Sequence, residues 1–575
     1  MPAPRLGPDY RRTALRRLAS DEFDVLVIGG GVVGAGAALD AAARGLSVAL
    51  VEARDWGAGT SGRSSKLIHG GLRYLEQFDF KLVFEALKER RLLLNRLAPH
   101  LVRPVPLLFP LRHRVWERGY AGAGVLLYDL IGRTKQLPAH RHLSRAGVLR
   151  AARGLDPQAL VGGIQFYEAQ VDDARHTMTL ARTAAQYGAT VLTGARVTEL
   201  VRAGERVVGA VVRDAETGTE ITVAARRVIG ATGVWTDETH EIAGVPAPFT
   251  VRMSKGVHLL VPRARLDLGS GLIMRTEKSV LFVIPWDRHW IIGTTDTDWA
   301  LDRVHPAVSR ADVDYLLARV NAMLTDPLTA ADIEGVYAGL RPLLAGESAE
   351  TAQLSREHAV AEPAPGLFVI AGGKYTTYRV MAADVVDAAV RGFGRAAPKS
   401  LTEHIPLLGA LGYHEMWLER GSIADRTRLR PATVEHLLHR YGSLVSELFH
   451  LIAERPDLSE PLAGAPDYLR AEAVYAVTHE GALRLADILI RRTRISIDQP
   501  DRGLAAAAEV ARLVAPHLGW DAEREQAEVV HYTQRVKAER AAQQAADDHA
   551  ANAARLAAEE PAPTPVYNPL TIENG

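Results

Sequence analysis

The chain has 575 residues, with 68 lysines and arginines against 68 aspartates and glutamates, so its formal net charge is +0. That balance lacks the uniform basic excess that a nucleic-acid binder needs, so no nucleic-acid partner is expected and an anionic ligand would have to be held by a local basic cluster. The chain has no cysteine, which removes disulfides, thiolate nucleophiles, cysteine-ligated zinc and iron–sulfur clusters and leaves redox chemistry to a bound organic cofactor.

The start is arginine-rich (Arg5, Arg11, Arg12, Arg16, Arg17) and lacks an apolar core before Asp21, so it does not read as a signal peptide; residues 1–21 are expected to be a tail. Val25 to Leu39 is too short and too glycine-rich to span a membrane. Apolar Val25 to Ile28, a glycine cluster, an alanine-rich stretch and Ser47 to Val51 read as one β–α–β unit of a parallel sheet. Within it Gly29, Gly31 and Gly34 form G-x-G-x-x-G, which opens a helix N-terminus to a pyrophosphate, and Glu52 ends the second strand where a ribose hydroxyl needs an acid. The next segment, GTSGRSSKLIHGGLRYLE at 59–76, sets Thr60, Ser61, Ser64 and Ser65 ahead of Gly70 and Gly71. Small and hydroxylated residues in this run suit a backbone wrapped closely around a cofactor larger than NAD.

Residues 111–132 place arginines, Trp116 and Tyr120 beside an apolar run, the pattern of a segment lying on a membrane surface; a buried helix with a basic flank fits the same residues. Arg206 to Val212 and Glu220 to Ala225 read as a hairpin turned at Glu216-Thr217-Gly218, and Val228 to Ala231 as a buried strand ending in Thr232-Gly233. Val257 to Val261, Val280 to Pro285 and Trp290 to Gly293 suggest an antiparallel sheet, and Leu367 to Ala371 a third buried strand ending in Gly372-Gly373. Between 398 and 536 the pattern turns helical, in Thr433 to Arg440, Tyr468 to Arg494 and Leu504 to Leu518. Residues 537–575 are expected to be a second tail, disordered from about Glu559.

On a strand of period two, His258 faces opposite Val257, Leu259 and Val261, and imidazole is suited to accept a proton near neutral pH. His258 is therefore the candidate base, with a hydrogen-bonded structural histidine as the alternative. Arg341 precedes Pro342, which biases its backbone toward an extended conformation. Taken singly, Arg341, Arg73 and Lys374 could each be a solvated surface charge.

In order, IGGGVVGAGAALDAAARGLSVALVEA, SSKLIHGGLRYLE, IIGTTD at 291–296, GLRPL at 339–343 and GGKYTTYR at 372–379 resemble the FAD-dependent, quinone-linked glycerol-3-phosphate dehydrogenases over about residues 20–530. The resemblance implies an α/β fold: a Rossmann-like FAD-binding domain of the D-amino-acid-oxidase or glutathione-reductase type at 22–100, 170–245 and 350–395. It is interleaved with an antiparallel-sheet substrate domain at 101–169 and 246–349, and an all-helical domain follows at 398–536. FAD is the implied cofactor, contacted by Gly29, Gly31, Gly34, Glu52, Thr60, Ser61, Ser65, Lys66, His69, Gly70, Gly71, Val197, Thr232, Gly233, Gly373 and Thr376. The implied clamp for the substrate phosphate is Arg73, Tyr74, Arg341 and Lys374. Catalysis falls to His258, Arg341 and Lys374, the lysine being a second candidate base if burial lowers its pKa. No metal is expected. The implied reaction oxidises glycerol 3-phosphate to dihydroxyacetone phosphate with a quinone as acceptor, on the inner face of the cell membrane through 111–132, and a homodimer is compatible with it. An oxidase using oxygen and a non-catalytic flavin-binding interaction protein remain open readings of the same residues.

Overall fold

The computed structural model describes residues 2–70, 80–112, 137–277, 280–345, 357–393 and 398–558. The first of two large sheets is built around Glu22–Ile28, which pairs in parallel with Val48–Val51 on one side and Glu220–Gly230 on the other. Thr190–Leu192 and Leu367–Gly372 continue it in parallel, and Ala195–Ala203, Arg206–Asp214 and His358–Ala364 add antiparallel edges. These central strands are short apolar runs because helices cover the sheet, so side chains on both faces enter a core. Helices Val32–Ala43, Asp173–Gln186 and Tyr378–Ala389 pack together on one face. Gly36 permits that packing, since a Cβ there would come 3.0 Å from the ring of Tyr378.

The opposite face carries a helix where the sequence suggests a tail. Pro8–Ser20 is helical with Ala14, Leu15 and Leu18 buried against Phe23, Leu26 and Val223. Arg12 and Arg16 are exposed on the outer side, while Arg11 turns inward to the buried Asp214, and it is this mixture of charges around the apolar stripe that composition alone hides.

The second sheet has ten strands, antiparallel except where Val102–Leu111 meets Gly271–Arg275. Its central strand, Val251–Pro262, pairs along Gly335–Leu344 and His289–Gly293. Val257, Leu259 and Val261 enter one core cluster, while Leu260 belongs to the cluster on the other face, the face that His258 shares.

The C-terminal unit is helical, with a small ribbon of Pro461–Leu462 and Ala465–Leu469. Leu504–Leu518 forms one helix as expected, but the stretch after Tyr468 is broken: a helix ends at Thr478, Gly481 takes a positive φ, and a π-helical turn spans Ile488–Arg492. The expected tail after 536 is corrected as far as it is described. Ala522–Gln544 is a single helix, and Asp548–Leu556 folds back on it with Ala538, Ala542 and Ala551 buried. Small alanine side chains allow that close approach, and Lys255 anchors the second helix by ion pairs to Asp312 and Asp548. The expected disorder from Glu559 lies outside the described residues.

A polar seam joins this unit to the first sheet. Asp55 meets both Arg491 and Arg492, Arg175 meets Glu480 at 2.7 Å, and Arg494 meets Asp172 and Asp173. Each guanidinium fork answers a carboxylate, the arrangement that offsets the desolvation of buried charges.

Candidate active site

A long groove runs over the carboxyl ends of the parallel strands, where ligands of open α/β sheets bind. Gly29 has φ +110°, and a Cβ there would lie 2.6 Å from the carbonyl oxygen of Ala231. At Gly34 a Cβ would meet the Gly29 carbonyl oxygen at 1.9 Å, so helix and strand touch backbone to backbone. Gly31 precedes the first turn of Val32–Ala43 and lines the groove; its Cβ would meet only Ser61 Oγ, at 3.2 Å. Gly233 lines the opposite wall beside Thr232 with open space around its missing Cβ. This is a cradle that admits a pyrophosphate against the backbone, with a helix N-terminus directed at it.

Glu52 and Val197 line the far end of the groove. The Glu52 carboxylate accepts hydrogen bonds from the Gly30 N–H at 2.6 Å and the Arg54 N–H at 2.8 Å, which fix it at the strand end. Arg54, which the sequence reading missed, also lines this end and lies 5.0 Å above the ring of Trp235. Thr60 donates to the carbonyl of Leu340 at 2.6 Å, tying the groove to the second sheet, and Ser61 accepts from the Val32 N–H at 2.9 Å.

Lys66 is corrected. Its ammonium pairs with Asp173 at 2.8 Å, lies over the rings of Tyr337 and Trp286, and is fully buried away from the groove. Burial presses its pKa down, and a non-glycine residue with φ 57° holds the chain in the turn that sends the side chain inward. Thr376 and His69 also act on the backbone: Thr376 Oγ1 accepts from the His69 N–H at 3.2 Å and donates to its carbonyl at 3.3 Å. Gly70 follows them. Gly71, Arg73 and Tyr74 lie outside the described residues, as do residues 113–132 of the expected membrane-facing segment.

At the end of the groove where the two sheets meet, Ser64, Pro342, Gly373 and Lys374 share the wall. Beside Pro342, Arg341 lies opposite Ser254 on the neighbouring strand. Its guanidinium donates to Thr294 Oγ1 at 2.9 Å, to Ser254 Oγ at 3.1 Å and to the Thr295 carbonyl at 3.2 Å, with Asp296 at 3.7 Å. Beside Ser64, the Ser65 hydroxyl is 2.8 Å from His258 Nε2. His258 is buried, stacks on Tyr337 with ring centroids 4.7 Å apart, and has no partner at Nδ1 among the described residues. Burial, Arg341 and Lys66 together hold its pKa well below the ordinary histidine value, so the resting imidazole is neutral, with a free lone pair, and less basic than an ordinary histidine. Tyr337 itself donates to the Ser64 carbonyl at 3.0 Å. Its signal in the sequence is the period-two spacing that puts residues 337, 339 and 341 on one face of their strand.

Residues 24–383 match the family model described as FAD dependent oxidoreductase, and residues 400–525 match that of the C-terminal domain of alpha-glycerophosphate oxidase. The chain is 56% identical over 571 residues to a glycerol-3-phosphate dehydrogenase of Mycobacterium leprae, covering 99% of this chain and 97% of that one. It is 34% identical to the mitochondrial glycerol-3-phosphate dehydrogenase of Homo sapiens, over 90% of this chain and 74% of the other. Among solved structures, the glycerol-3-phosphate dehydrogenase of Bacillus halodurans complexed with FAD matches with a TM-score of 0.77 and 29% identity, over 92% of this chain and 98% of that one. The cofactor of this groove is FAD.

Proposed function

Because the chain belongs to the glycerol-3-phosphate dehydrogenase family of FAD-dependent oxidoreductases, we propose that it oxidises sn-glycerol 3-phosphate to dihydroxyacetone phosphate and passes the electrons to a quinone. The chemistry that bound FAD would supply is a hydride acceptor for C2. His258 accepts the hydroxyl proton, because a neutral imidazole with a bare nitrogen is held at the junction of the two sheets. Arg341 and Lys374, together with Arg73 and Tyr74, bind the phosphate, whose charge near −2 calls for forked and point cations in one place. Glu52, Gly31, Gly233 and the hydroxyl residues Thr60 and Ser61 seat the cofactor. The observation that carries the reading is that His258 and Arg341, on neighbouring strands of the second sheet, flank the groove end through Ser65 and Pro342, which adjoin or line it beside Ser64, and that Arg341 acts electrostatically on the buried imidazole.

The quinone reading is supported by the basic and aromatic residues of 111–132, which suit a peripheral position on the inner face of the cell membrane. Among the described residues no helix is long and apolar enough to cross a membrane. A second reading, with oxygen as acceptor, draws on the match of 400–525 to an oxidase C-terminal domain.

One experiment tests both levels. Under anaerobic conditions, glycerol 3-phosphate should bleach the flavin absorbance, and a menaquinone analogue should restore it faster than oxygen does. Flavin that stays oxidised sinks the substrate assignment; faster recovery with oxygen selects the oxidase.

A further inference from the structure

The segment that carries Ser65 to His258 is held on both sides by one carboxylate. Asp173 opens the helix Asp173–Gln186 and is fully buried, and its two oxygens divide the contacts. Oδ2 accepts from the Ser64 N–H at 2.8 Å and from the Ser64 hydroxyl at 2.7 Å. Oδ1 accepts from Lys66 Nζ at 2.8 Å, from the Ala174 N–H at 2.9 Å and from Arg494. A helix N-terminus and two cations suit a carboxylate at this place. The flanking backbone is tied as well: the Lys66 N–H donates to Ser64 Oγ at 3.0 Å, the Lys66 carbonyl accepts from the Val171 N–H at 2.9 Å, and the Ser64 carbonyl accepts from Tyr337 at 3.0 Å. Ser64 and Lys66 thus turn their side chains to Asp173, whereas Ser65 between them turns to His258 Nε2 at 2.8 Å.

That contact selects a tautomer of the neutral imidazole. If the Ser65 hydroxyl donated to Nε2, the ring proton would sit on Nδ1, which is buried and has no partner among the described residues. Buried N–H groups are rarely left without an acceptor, whereas a bare lone pair is better tolerated. The hydrogen-bond network therefore assigns the proton to Nε2, donating to Ser65 Oγ, and the lone pair to Nδ1.

We propose that Asp173 is a positioning residue for His258: by fixing Ser64 and Lys66 it aims the Ser65 hydroxyl as the acceptor of the Nε2–H, so that Nδ1 is the nitrogen that takes the substrate's hydroxyl proton. The proposal rests on the reading of His258 as the base. Once Nδ1 is protonated, the bond from Nε2–H to Ser65 becomes charge-assisted, which favours the imidazolium in a place that burial, Arg341 and Lys66 otherwise make unfavourable for it. Asp173 touches neither His258 nor the groove wall, and acts on the reaction through Ser65.

The test uses the FAD-loaded full chain. In rapid mixing with saturating glycerol 3-phosphate, Ser65→Ala and Asp173→Asn should each slow flavin reduction by about 10–100-fold, as for losing a hydrogen bond to a charged group, while the half-saturating substrate concentration stays within about twofold of wild type. The double variant should be no slower than the slower single one, because Asp173 acts through Ser65. Losses that multiply, or a wild-type rate in Ser65→Ala, overturn the positioning role. A second readout does not depend on turnover. In histidine nitrogen spectra of the isotope-labelled holoprotein, the signals that vanish in His258→Asn should show a protonated Nε2 and a bare Nδ1, and in Ser65→Ala and Asp173→Asn they should move toward a mixture of tautomers. A proton on Nδ1 in the wild type, or spectra unchanged in both variants, overturns the proposal. A wild-type rate in His258→Asn removes instead the reading of His258 as the base, whatever the spectra show. Should Asp173→Asn not fold, Ser64→Ala removes the hydroxyl bond to Asp173 and should show the same non-additivity with Ser65→Ala; multiplied losses there overturn the proposal equally.

Discussion

His258 Nε2 lies 2.8 Å from the hydroxyl of Ser65, and the same imidazole stacks on Tyr337 with the two ring planes 11° apart. His258 and Tyr337 are register partners on adjacent strands, so the stack is set by sheet pairing and the hydrogen bond by the loop that wraps the groove. The ring is thus fixed in position by one sheet and in orientation by the segment crossing from the other.

Replacing His258 by Asn removes the proposed proton acceptor while leaving Arg341 and the groove in place. The rate of flavin reduction by glycerol 3-phosphate should fall about 10²–10⁴-fold in rapid-mixing experiments, with flavin still bound. Because the histidine is held neutral, the wild-type rate should show no inflection near pH 6.5. A His258→Asn rate equal to wild type would remove it as the base.

Arg341 is already oriented by Thr294, Thr295 and Ser254, so truncating it removes a preformed fork. Arg341→Ala should lower kcat/KM for glycerol 3-phosphate by about 10–100-fold, as for losing a charge-assisted hydrogen bond, without loss of flavin. Steady-state kinetics with the absorbance ratio of bound flavin reads both.

The glycines separate fold from cofactor. Gly34→Ala drives a methyl group to 1.9 Å from the Gly29 carbonyl oxygen, so this variant should unfold at a lower temperature and purify colourless. Gly31→Ala meets only Ser61 Oγ, at 3.2 Å, and should keep its fold while retaining FAD poorly, because the added methyl occupies the space of the pyrophosphate. Apoprotein melting curves distinguish the two.

Asp55 neutralises Arg491 and Arg492 at the seam between the first sheet and the C-terminal unit. Asp55→Asn leaves two buried guanidiniums without their shared counter-charge and should destabilise the protein by about 3–5 kcal/mol in denaturant unfolding. The loss should exceed that of Arg213→Ala, whose partner Glu220 is exposed.

Acid should weaken the fold. Burial lowers the pKa values of His100 and His176 to about 3, whereas the unfolded chain protonates histidine near pH 6.5. Between those values the unfolded state binds the extra protons, so stability falls as pH drops from 7 to 5, by about 2 kcal/mol for each such histidine. The gap between unfolding midpoints at the two pH values should narrow in a variant carrying glutamine at both positions, without closing, because burial also holds His439 at about 3 and His479 at about 4.

The parallel core and its glycine cradle were legible in the chain because both are local: four apolar residues, three glycines at fixed spacing and an acid at the next strand end specify backbone shapes that few other sequences need. The same holds for the side of the strand on which His258 lies, since alternation is a property of neighbours in sequence. Lys66 shows the limit. Its motif places it beside the cofactor, but whether the side chain turns to the groove or to Asp173 depends on a carboxylate more than a hundred residues away and on the rings of Trp286 and Tyr337. The terminal helices were hidden for a related reason, as their arginine and alanine content resembles a solvated tail until another surface is present to bury one face. By itself, then, the sequence determined the central strands, the cofactor cradle and the absence of thiol chemistry. Tertiary structure alone decided which charges meet. Burial and pairing energies depend on distances between segments remote in the chain, and so a lysine of the motif became a core ion pair.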